Sequence, residues 1–360
     1  MFVVQTVKST DEGKLNLVDQ KRDKHFEFVG RTRLNNGIKG YTERLQIEPN
    51  SENVISVTQI GTIVAQLRKE KWYASQNIFS LTPKENFESL ISLFGVSAVN
   101  ASLHGSFSDG YANYPTLERL KNLTIELPTK NGEIDFAFME SFIAELEAER
   151  IAELEAYLVA GGLKDYTLTK EETKALAEFE KQEFSPFNVI EVLNVKNTKN
   201  ILSRDIVENS GETPYLGASA DNNSVSSYIA YDEQHLDKGN CVFIGGKTFV
   251  VSYQEKDFYS NDSHNLVLYL KDEEKQSKVN YLYLAACINK SLKHKYSWGD
   301  SISNKKIQKD TVTLPAQNDQ PDYEKMETFI SAIQKLVIKD VVQYADQKIA
   351  ATQKVVSAKK

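Results

Sequence analysis

The turn that follows Gly30 gathers groups suited to contacting nucleic acid: Arg31, Arg33, Asn35, Asn36, Lys39 and Tyr41. A guanidinium matches the two acceptors of guanine, a carboxamide matches adenine, and an ammonium neutralises phosphate. Arg68, Lys69, Lys71, Trp72 and Tyr73 form a second, basic and aromatic patch. In the second half of the chain the corresponding turn offers Ser219, Asn222, Asn223, Ser226, Ser227 and Tyr228, polar but uncharged, and Lys256, Phe258 and Tyr259 answer the second patch. Lys247 and the run Lys293, His294, Lys295, Trp298, Lys305 and Lys306 complete the candidates. A polar turn is also the ordinary way to reverse a chain, so each residue taken singly stays open to that simpler reading.

Catalytic constellations are missing. The histidines His25, His104, His235, His264 and His294 are scattered, and no His-Glu-x-x-His, Cys-x-x-Cys or Gly-x-Ser-x-Gly occurs. Gly245-Gly246-Lys247-Thr248 ends like a phosphate-cradling loop but lacks the earlier glycine, and reads instead as a strand turn with an exposed lysine. Asn113-Tyr114-Pro115 has its proline in the wrong place for an amino-methyltransferase motif. The glutamates beyond residue 133 have no turn-forming neighbours to fold them into an oxygen cage, so they read as a solvated face rather than metal ligands. These absences point to a chain that performs no catalysis alone.

What must position the turn groups is a duplicated unit. Leu127-Pro128 recurs as Leu314-Pro315, and Asp135, Met139, Glu140, Phe142 and Ile143 recur as Asp322, Met326, Glu327, Phe329 and Ile330, all 187 residues apart. Gly30, Asn35, Asn36 and Tyr41 recur at that same offset as Gly217, Asn222, Asn223 and Tyr228. Between 127–146 and 314–333, 8 of 20 positions are identical, where unrelated sequence of ordinary composition would give roughly one. Two distant patches sharing one offset require that a whole unit was copied. Thr62 to Tyr73 aligns with Thr248 to Tyr259 at 186, a one-residue slip of the kind that loops tolerate.

The elements follow from this frame. Val54-Ile55-Ser56-Val57 and Thr62-Ile63-Val64-Ala65 predict strands around Gly61, and Asn35-Asn36-Gly37 predicts a turn that accepts positive φ. Met139, Phe142, Ile143, Leu146, Ile151, Leu154 and Leu158 make an apolar stripe that predicts a helix over 134–160, ended by Gly161-Gly162. Met326, Ile330, Ile333, Val337, Val341, Ala345 and Ile349 predict its partner. Thr169-x-x-Glu172 is a capping box opening a short helix in the linker, and Ser185-Pro186 breaks it. Two long amphipathic helices, each following a globular domain, are expected to pack on each other in antiparallel fashion.

Bulk properties agree. A 360-residue chain with 41% hydrophobic and 10% aromatic residues can bury two cores. Between 133 and 158 eight acidic residues meet the single base Arg150, so that segment alone carries the net charge of −7 and local basic clusters remain elsewhere. Cys241 and Cys287 lie only in the second half, which excludes a duplicated disulfide framework and predicts free thiols in a reducing cytoplasm. No signal sequence is evident, and the apolar run Tyr281 to Ile288 is far too short to cross a membrane.

Residues 127–158, from Leu-Pro-Thr-Lys-Asn-Gly-Glu-Ile-Asp-Phe onward, resemble the conserved helix of type I restriction-modification specificity subunits. The Gly-x-x-x-x-Asn-Asn-x-x-x-x-Tyr turn at 30–41 and 217–228 resembles the signature of their target-recognition domains. The resemblance implies an α+β fold with two similar mixed, strand-rich recognition domains. Each is followed by a long helix, and the helices pack as an antiparallel coiled coil with pseudo-twofold symmetry. The expected division is 1–130 and 187–317 for the recognition domains, 131–186 for the first helix and linker, and 318–360 for the second helix. Met139, Phe142, Ile143, Leu146, Leu154, Met326, Phe329, Ile330, Ile333 and Val337 are expected at the helix packing. The opening strand of the first unit is expected to be abbreviated.

By the same resemblance the chain is a non-catalytic, cytoplasmic subunit that reads double-stranded DNA, one half of a split target per domain, with the helices as a ruler. S-adenosylmethionine, ATP and Mg²⁺ would belong to partner chains, namely two methyltransferase subunits and the restriction subunits. The alternatives are a type IIB-like specificity subunit, a duplicated scaffold binding protein, and a self-sufficient methyltransferase.

Overall fold

The computed structural model describes residues 1–84 and 89–358. The chain divides into two compact units, Met1–Leu154 with Ala351–Lys360, and Glu155–Ala350. The first contains strands β1 (Phe2–Thr6), β2 (Phe26–Val29), β3 (Ile38–Thr42), β4 (Val54–Thr58), β5 (Ala65–Arg68), β6 (Trp72–Ala74) and β7 (Ile78–Pro83). Helices α1 (Ser89–Ser106) and α2 (Leu117–Lys121), the short hairpin β8 (Thr129–Lys130) and β9 (Glu133–Ile134), and the long α3 (Phe136–Ala160) follow. One sheet runs β1-β7-β4-β5 and the other β3-β2-β6, with β2 and β6 parallel. β-Branched runs such as Val54–Thr58 suit a pleated strand, and here the whole strand is buried. Ile55, Val57, Phe79 and Leu81 from this sheet meet Val99 and Leu103 of α1 to form the main core.

The second unit carries α4 (Lys170–Ala177), β10 (Phe184–Asn188), α5 (Val189–Val192), β11 (Leu193–Asn197), β12 (Thr213–Leu216), β13 (Val225–Ile229), β14 (Cys241–Gly245) and β15 (Val250–Gln254). Then come β16 (Tyr259–Ser260), β17 (Leu266–Leu270), α6 (Lys278–Leu292), α7 (Asn304–Ile307), β18 (Thr311–Gln317), β19 (Gln320–Pro321) and α8 (Tyr323–Ala358). Its sheets run β11-β17-β14-β15 and β13-β12-β16, again with β12 and β16 parallel. In these two sheets the order is that of the first unit strand for strand; a third sheet, β10-β18-β19, extends the counterpart of the β8-β9 hairpin by one strand. Even the register irregularity of β2 against β3, between Phe28 and Val29, recurs between Tyr215 and Leu216 of β12. The duplication in sequence is therefore a duplication of fold.

Three local expectations hold in detail. Helix α3 stops where the glycines stand: Gly162 has φ +65, and Leu163 N–H donates to Leu158 O at 2.8 Å. Thr169 and Glu172 form a complete capping box, Thr169 Oγ1 accepting from Glu172 N–H at 3.1 Å and Glu172 Oε2 accepting from Thr169 N–H at 2.8 Å. Both cysteines are free.

Three others need correction. Thr62–Val64 is not strand, because Ile63 N–H is taken at 2.8 Å by the Asp109 side chain instead of a neighbouring strand. On α3, Met139 and Ile143 are buried, but Phe142 is 46% and Leu146 39% exposed, so the expected stripe is only partly covered; Leu154 is half-buried. On α8, Met326 is buried and Phe329 and Ile330 pack on the second unit's core, whereas Val337 is 73% exposed. Ile333 is half-buried, and beyond it Val342 and Ala345 are the buried residues. The inward face shifts because the neighbour changes. Past the core, α8 meets the linker, where Lys335 Nζ donates to Thr167 O and Glu172 Oε2, both at 3.0 Å, and Asp346 Oδ1 accepts from Lys164 Nζ at 2.6 Å.

Burial also places one acid in the second unit under tension. Asp237 is buried and its carboxylate accepts from Lys199 N–H at 3.0 Å, yet burial pushes its pKa up to about 6 from 3.8. With the folded value above the unfolded one, the contribution to stability is full below the unfolded value of 3.8 and is lost as pH rises through about 6. Asp237→Asn keeps an acceptor for Lys199 and removes the buried charge. It is expected to raise stability at pH 7.5 by about 2 kcal/mol and leave pH 4 unchanged. Urea midpoints of the two proteins that stay parallel from pH 4 to 8 would refute this.

Candidate nucleic-acid interface

Each unit builds one turn in the same unusual way. Leu34–Gly37 and Asp221–Ser224 are 3₁₀ turns in which consecutive asparagines take left-handed backbone: φ +46 and +48 at Asn35 and Asn36, +46 and +52 at Asn222 and Asn223. Asparagine tolerates this conformation because its carboxamide bonds locally. Asn35 Nδ2 donates to Ile38 O at 3.2 Å and Asn222 Nδ2 to Val225 O at 3.1 Å. Asn36 Nδ2 donates to Leu67 O at 3.3 Å and Asn223 Nδ2 to Tyr253 O at 2.9 Å. The four amides expected to face bases are thus engaged in holding the turn and in tying it to β5 or β15.

A second compensation underlies the turn. Gly37 has φ +76, and a Cβ there would lie 2.3 Å from Gln66 Oε1. The second unit has Ser224 at φ +70, and Ser252 where the first has Gln66; the two hydroxyls lie 3.1 Å apart. The shorter side chain makes the room that the larger turn residue needs. Gly37→Ser alone is expected to destabilise the first unit by about 1–3 kcal/mol, and adding Gln66→Ser should restore at least half. A double variant no more resistant to urea than Gly37→Ser alone would show that the two positions are uncoupled.

The turn is joined by two other loops. In the first unit Arg33 Nη2 reaches Asp109 Oδ2 at 3.2 Å, and Gly61 bridges to Gly110. In the second, Thr248 Oγ1 donates to Ala218 O at 2.8 Å and Phe249 stacks on Tyr296 at 5.4 Å. Lys247 joins this cluster through Asp262 at 3.2 Å. Each cluster exposes an aromatic ring at the same repeat position: Tyr111 is 76% and Trp298 75% exposed. Tyr111 escaped the sequence reading, although its offset of 187 from Trp298 was there to be found. Leu34, 78% exposed at the tip of the first turn, was missed as well.

The remaining candidates scatter. Arg31 is exposed and unpaired among the described residues, while Lys39 is paired with Glu12 at 3.3 Å. Tyr41 is half-buried on β3, and Ser219 and Tyr228 are exposed. Lys69 and Lys71 are exposed but precede β6, whereas the turn follows the parallel β2, so they lie at the opposite end of that sheet. Lys256 stands in the same relation to its own turn. Lys293 is exposed at the end of α6, and Lys295 is held by Asp310 at 3.0 Å. Arg68 and Tyr73 are wholly buried, and this corrects their reading as contact residues. Arg68 faces Glu27 and Gln66 inside the unit, and Tyr73 Oη donates to Ile47 O at 3.1 Å. Among the described residues no group of three His, Cys, Asp or Glu could hold a metal ion. No described helix is long and apolar enough to cross a membrane.

One fold built twice, each copy joining two loops to a fixed turn, defines a protein with two equivalent loop clusters. The chain belongs to the type I restriction modification DNA specificity domain family, which it matches over residues 6–156 and 181–344. Over 225 residues it is 23% identical to the type II restriction enzyme BgcI specificity subunit S.BcgI of Heyndrickxia coagulans, a match covering 61% of this chain and 60% of that relative's length. The S subunit of a type I restriction-modification system from M. genitalium has a similar fold, at a TM-score of 0.58 and 13% identity over 99% of this chain and 92% of that one.

Proposed function

We propose that this chain is the sequence-reading subunit of a restriction-modification complex and that each unit reads one half of a split DNA target through its loop cluster. The carrying observation is a conserved frame with exchanged groups. At the same offset Arg31, Arg33 and Leu34 become Ala218, Ala220 and Asp221, while both asparagines and their backbone angles persist. A fixed frame with different exposed groups is what two dissimilar half-sites require. The long helices, as an antiparallel coiled coil relating the units by a pseudo-twofold axis, would set the unread spacer between half-sites and dock the modification subunits. Methyl transfer and cleavage would be done in the cytoplasm by two methyltransferase subunits and by restriction subunits, which would hold S-adenosylmethionine, ATP and Mg²⁺.

The test is local. Arg31→Ala with Arg33→Ala should relax the half-site read by the first unit by roughly 10–100-fold and leave the other half-site intact, as read by mapping methylated adenines in cells carrying the complex. Equal loss at both halves would assign these arginines to folding or assembly. Binding should also weaken steeply between low and moderate salt, because phosphate contacts release counterions.

A further inference from the structure

We propose that Trp298 and Tyr111 are stacking wedges: in each half-site one ring enters the base stack of the duplex, beside the groups that read it. The inference deepens the proposed function and rests on it. It adds a readout of DNA deformability to the polar contacts of the turns.

Trp298 stands at the tip of a tight turn. Ser297 N–H donates to Asp300 O at 3.2 Å and Asp300 N–H to Ser297 O at 3.1 Å, so Trp298 and Gly299 form the tip. Both flanks are anchored. Before the tip, Tyr296 stacks on Phe249 and donates to Asp310 Oδ2; after it, Lys306 Nζ donates to Asp300 Oδ1 and, at 2.7 Å, to Ser301 O. A ring held on a braced turn meets a partner with little ordering cost. Tryptophan is on average a highly buried residue, yet this one leaves its apolar area in water. Between 293 and 310 five lysines meet two aspartates, and both aspartates are already paired, Asp300 with Lys306 and Asp310 with Lys295. The tip therefore sits in net positive charge, which suits a phosphate backbone.

The two copies keep the ring while the loop around it changes. Helices α2 and α7, which follow the loop, open alike: Thr116 Oγ1 accepts from Arg119 N–H and Ser303 Oγ from Lys306 N–H, each at 3.3 Å. Thr116 and Ser303 are 187 residues apart, as are the buried Leu120 and Ile307, so the alignment is fixed beside the loop. Between 107–119 and 294–306 no residue is shared, and 111 with 298 is the one position that carries Tyr, Trp or Phe in both copies. Tyr111 is braced too. Gly110 N–H donates to Gly61 O at 2.7 Å, and Asp109 accepts from Ile63 N–H at 2.8 Å while pairing with Arg33 of the reading turn. An apolar ring offered beside hydrogen-bonding groups is suited to insertion at a base step, which unstacks the step and kinks the duplex.

The test uses the chain assembled with its modification subunits and a duplex carrying the methylation target mapped in cells. Both tryptophans of the chain are replaced by 5-hydroxytryptophan, whose excitation separates it from the partners' tryptophan. Trp72 is wholly buried, so iodide reaches Trp298 alone. Target DNA is expected to quench the Trp298 emission and to abolish its response to iodide. Trp298→Ala should weaken target binding roughly 5- to 150-fold, the range for one base stacked on an aromatic ring, and Trp298→Tyr should recover most of that loss. Trp298→Lys, which offers phosphate a charge but bases no ring, should bind as weakly as Trp298→Ala. Energy transfer between dyes at the duplex ends should rise on binding, as a kink of about 20–90° requires, and rise less with Trp298→Ala. Since Trp298 is 75% exposed, these variants keep the fold. A complex that binds no duplex would overturn the proposed function and this inference together. Target binding that leaves Trp298 open to iodide, that is as tight in Trp298→Ala or Trp298→Lys as in the parent, or that gives Trp298→Ala the parent's energy transfer would overturn the wedge alone.

Discussion

Inserting one helical turn at repeat-equivalent points of both long helices, after Glu149 in α3 and after Leu336 in α8, is expected to lengthen the unread spacer of the target. A turn rises about 5.4 Å and duplex DNA advances about 3.4 Å per base pair, so the spacer should grow by one or two base pairs. Both insertion points are exposed, which keeps the added residues out of the cores. The original spacer should then be methylated at least about 100-fold more slowly, since displacement of even 1 Å from a productive geometry can cost that much. Both half-site sequences should persist, because neither loop cluster is touched. Methylated-adenine mapping checks all of this at once. Altered half-sites with an unchanged spacer would end the ruler reading.

Loss of the buried arginine of the first unit should have the largest effect on stability. Arg68 is fully buried; its Nε donates to Ser56 Oγ at 3.0 Å, its Nη2 to Gln66 Oε1 at 3.1 Å and to Asn36 O, and Glu27 lies 3.5 Å from Nη1. Burial lowers its pKa to about 10 and raises that of Glu27, each opposed by the other's charge. Arg68→Ala removes one member of the pair, strands Glu27 in a poorly solvated place, and takes the donor from Asn36 O. A loss of about 3–5 kcal/mol is expected, with failure to read the first half-site alone. The second unit shows the neutral solution: Gln254 occupies the equivalent place and its Nε2 donates to Asn223 O at 2.9 Å, while Pro214 stands where Glu27 does. Arg68→Gln with Glu27→Gln should therefore recover most of the loss. A urea midpoint for Arg68→Ala close to that of the parent would show that the pair does not hold the turn.

Much of the fold was legible from local signals. A single offset revealed the copied unit, and strands such as Val54–Thr58, the capping box at Thr169 and the glycine stop at 161–162 each depend on residues within a few positions of one another. The candidate site was legible only as a location. The turn at 30–41 was found, but which of its groups point outward was not, because Asn36 is claimed by Leu67 and Arg33 by Asp109, neighbours 31 and 76 residues away. The apolar stripe of α8 was extended past Ile333 as though one surface covered its whole length, whereas the core and the linker cover different faces.

The amino-acid sequence by itself determined that the module is present twice, where its asparagine turns, its two long helices and the capped linker helix lie, and which polar groups differ between the copies. These are set by backbone propensity and by residue identity at a fixed offset, both readable along the chain. Only the tertiary structure decided that Arg68 and Tyr73 face inward, that the paired asparagines hold the backbone, and that Tyr111 and Trp298 stand out beside the turns. Burial and hydrogen-bond partnership depend on which distant segments arrive at a side chain, and packing fixes that only once the sheets have closed on their helices.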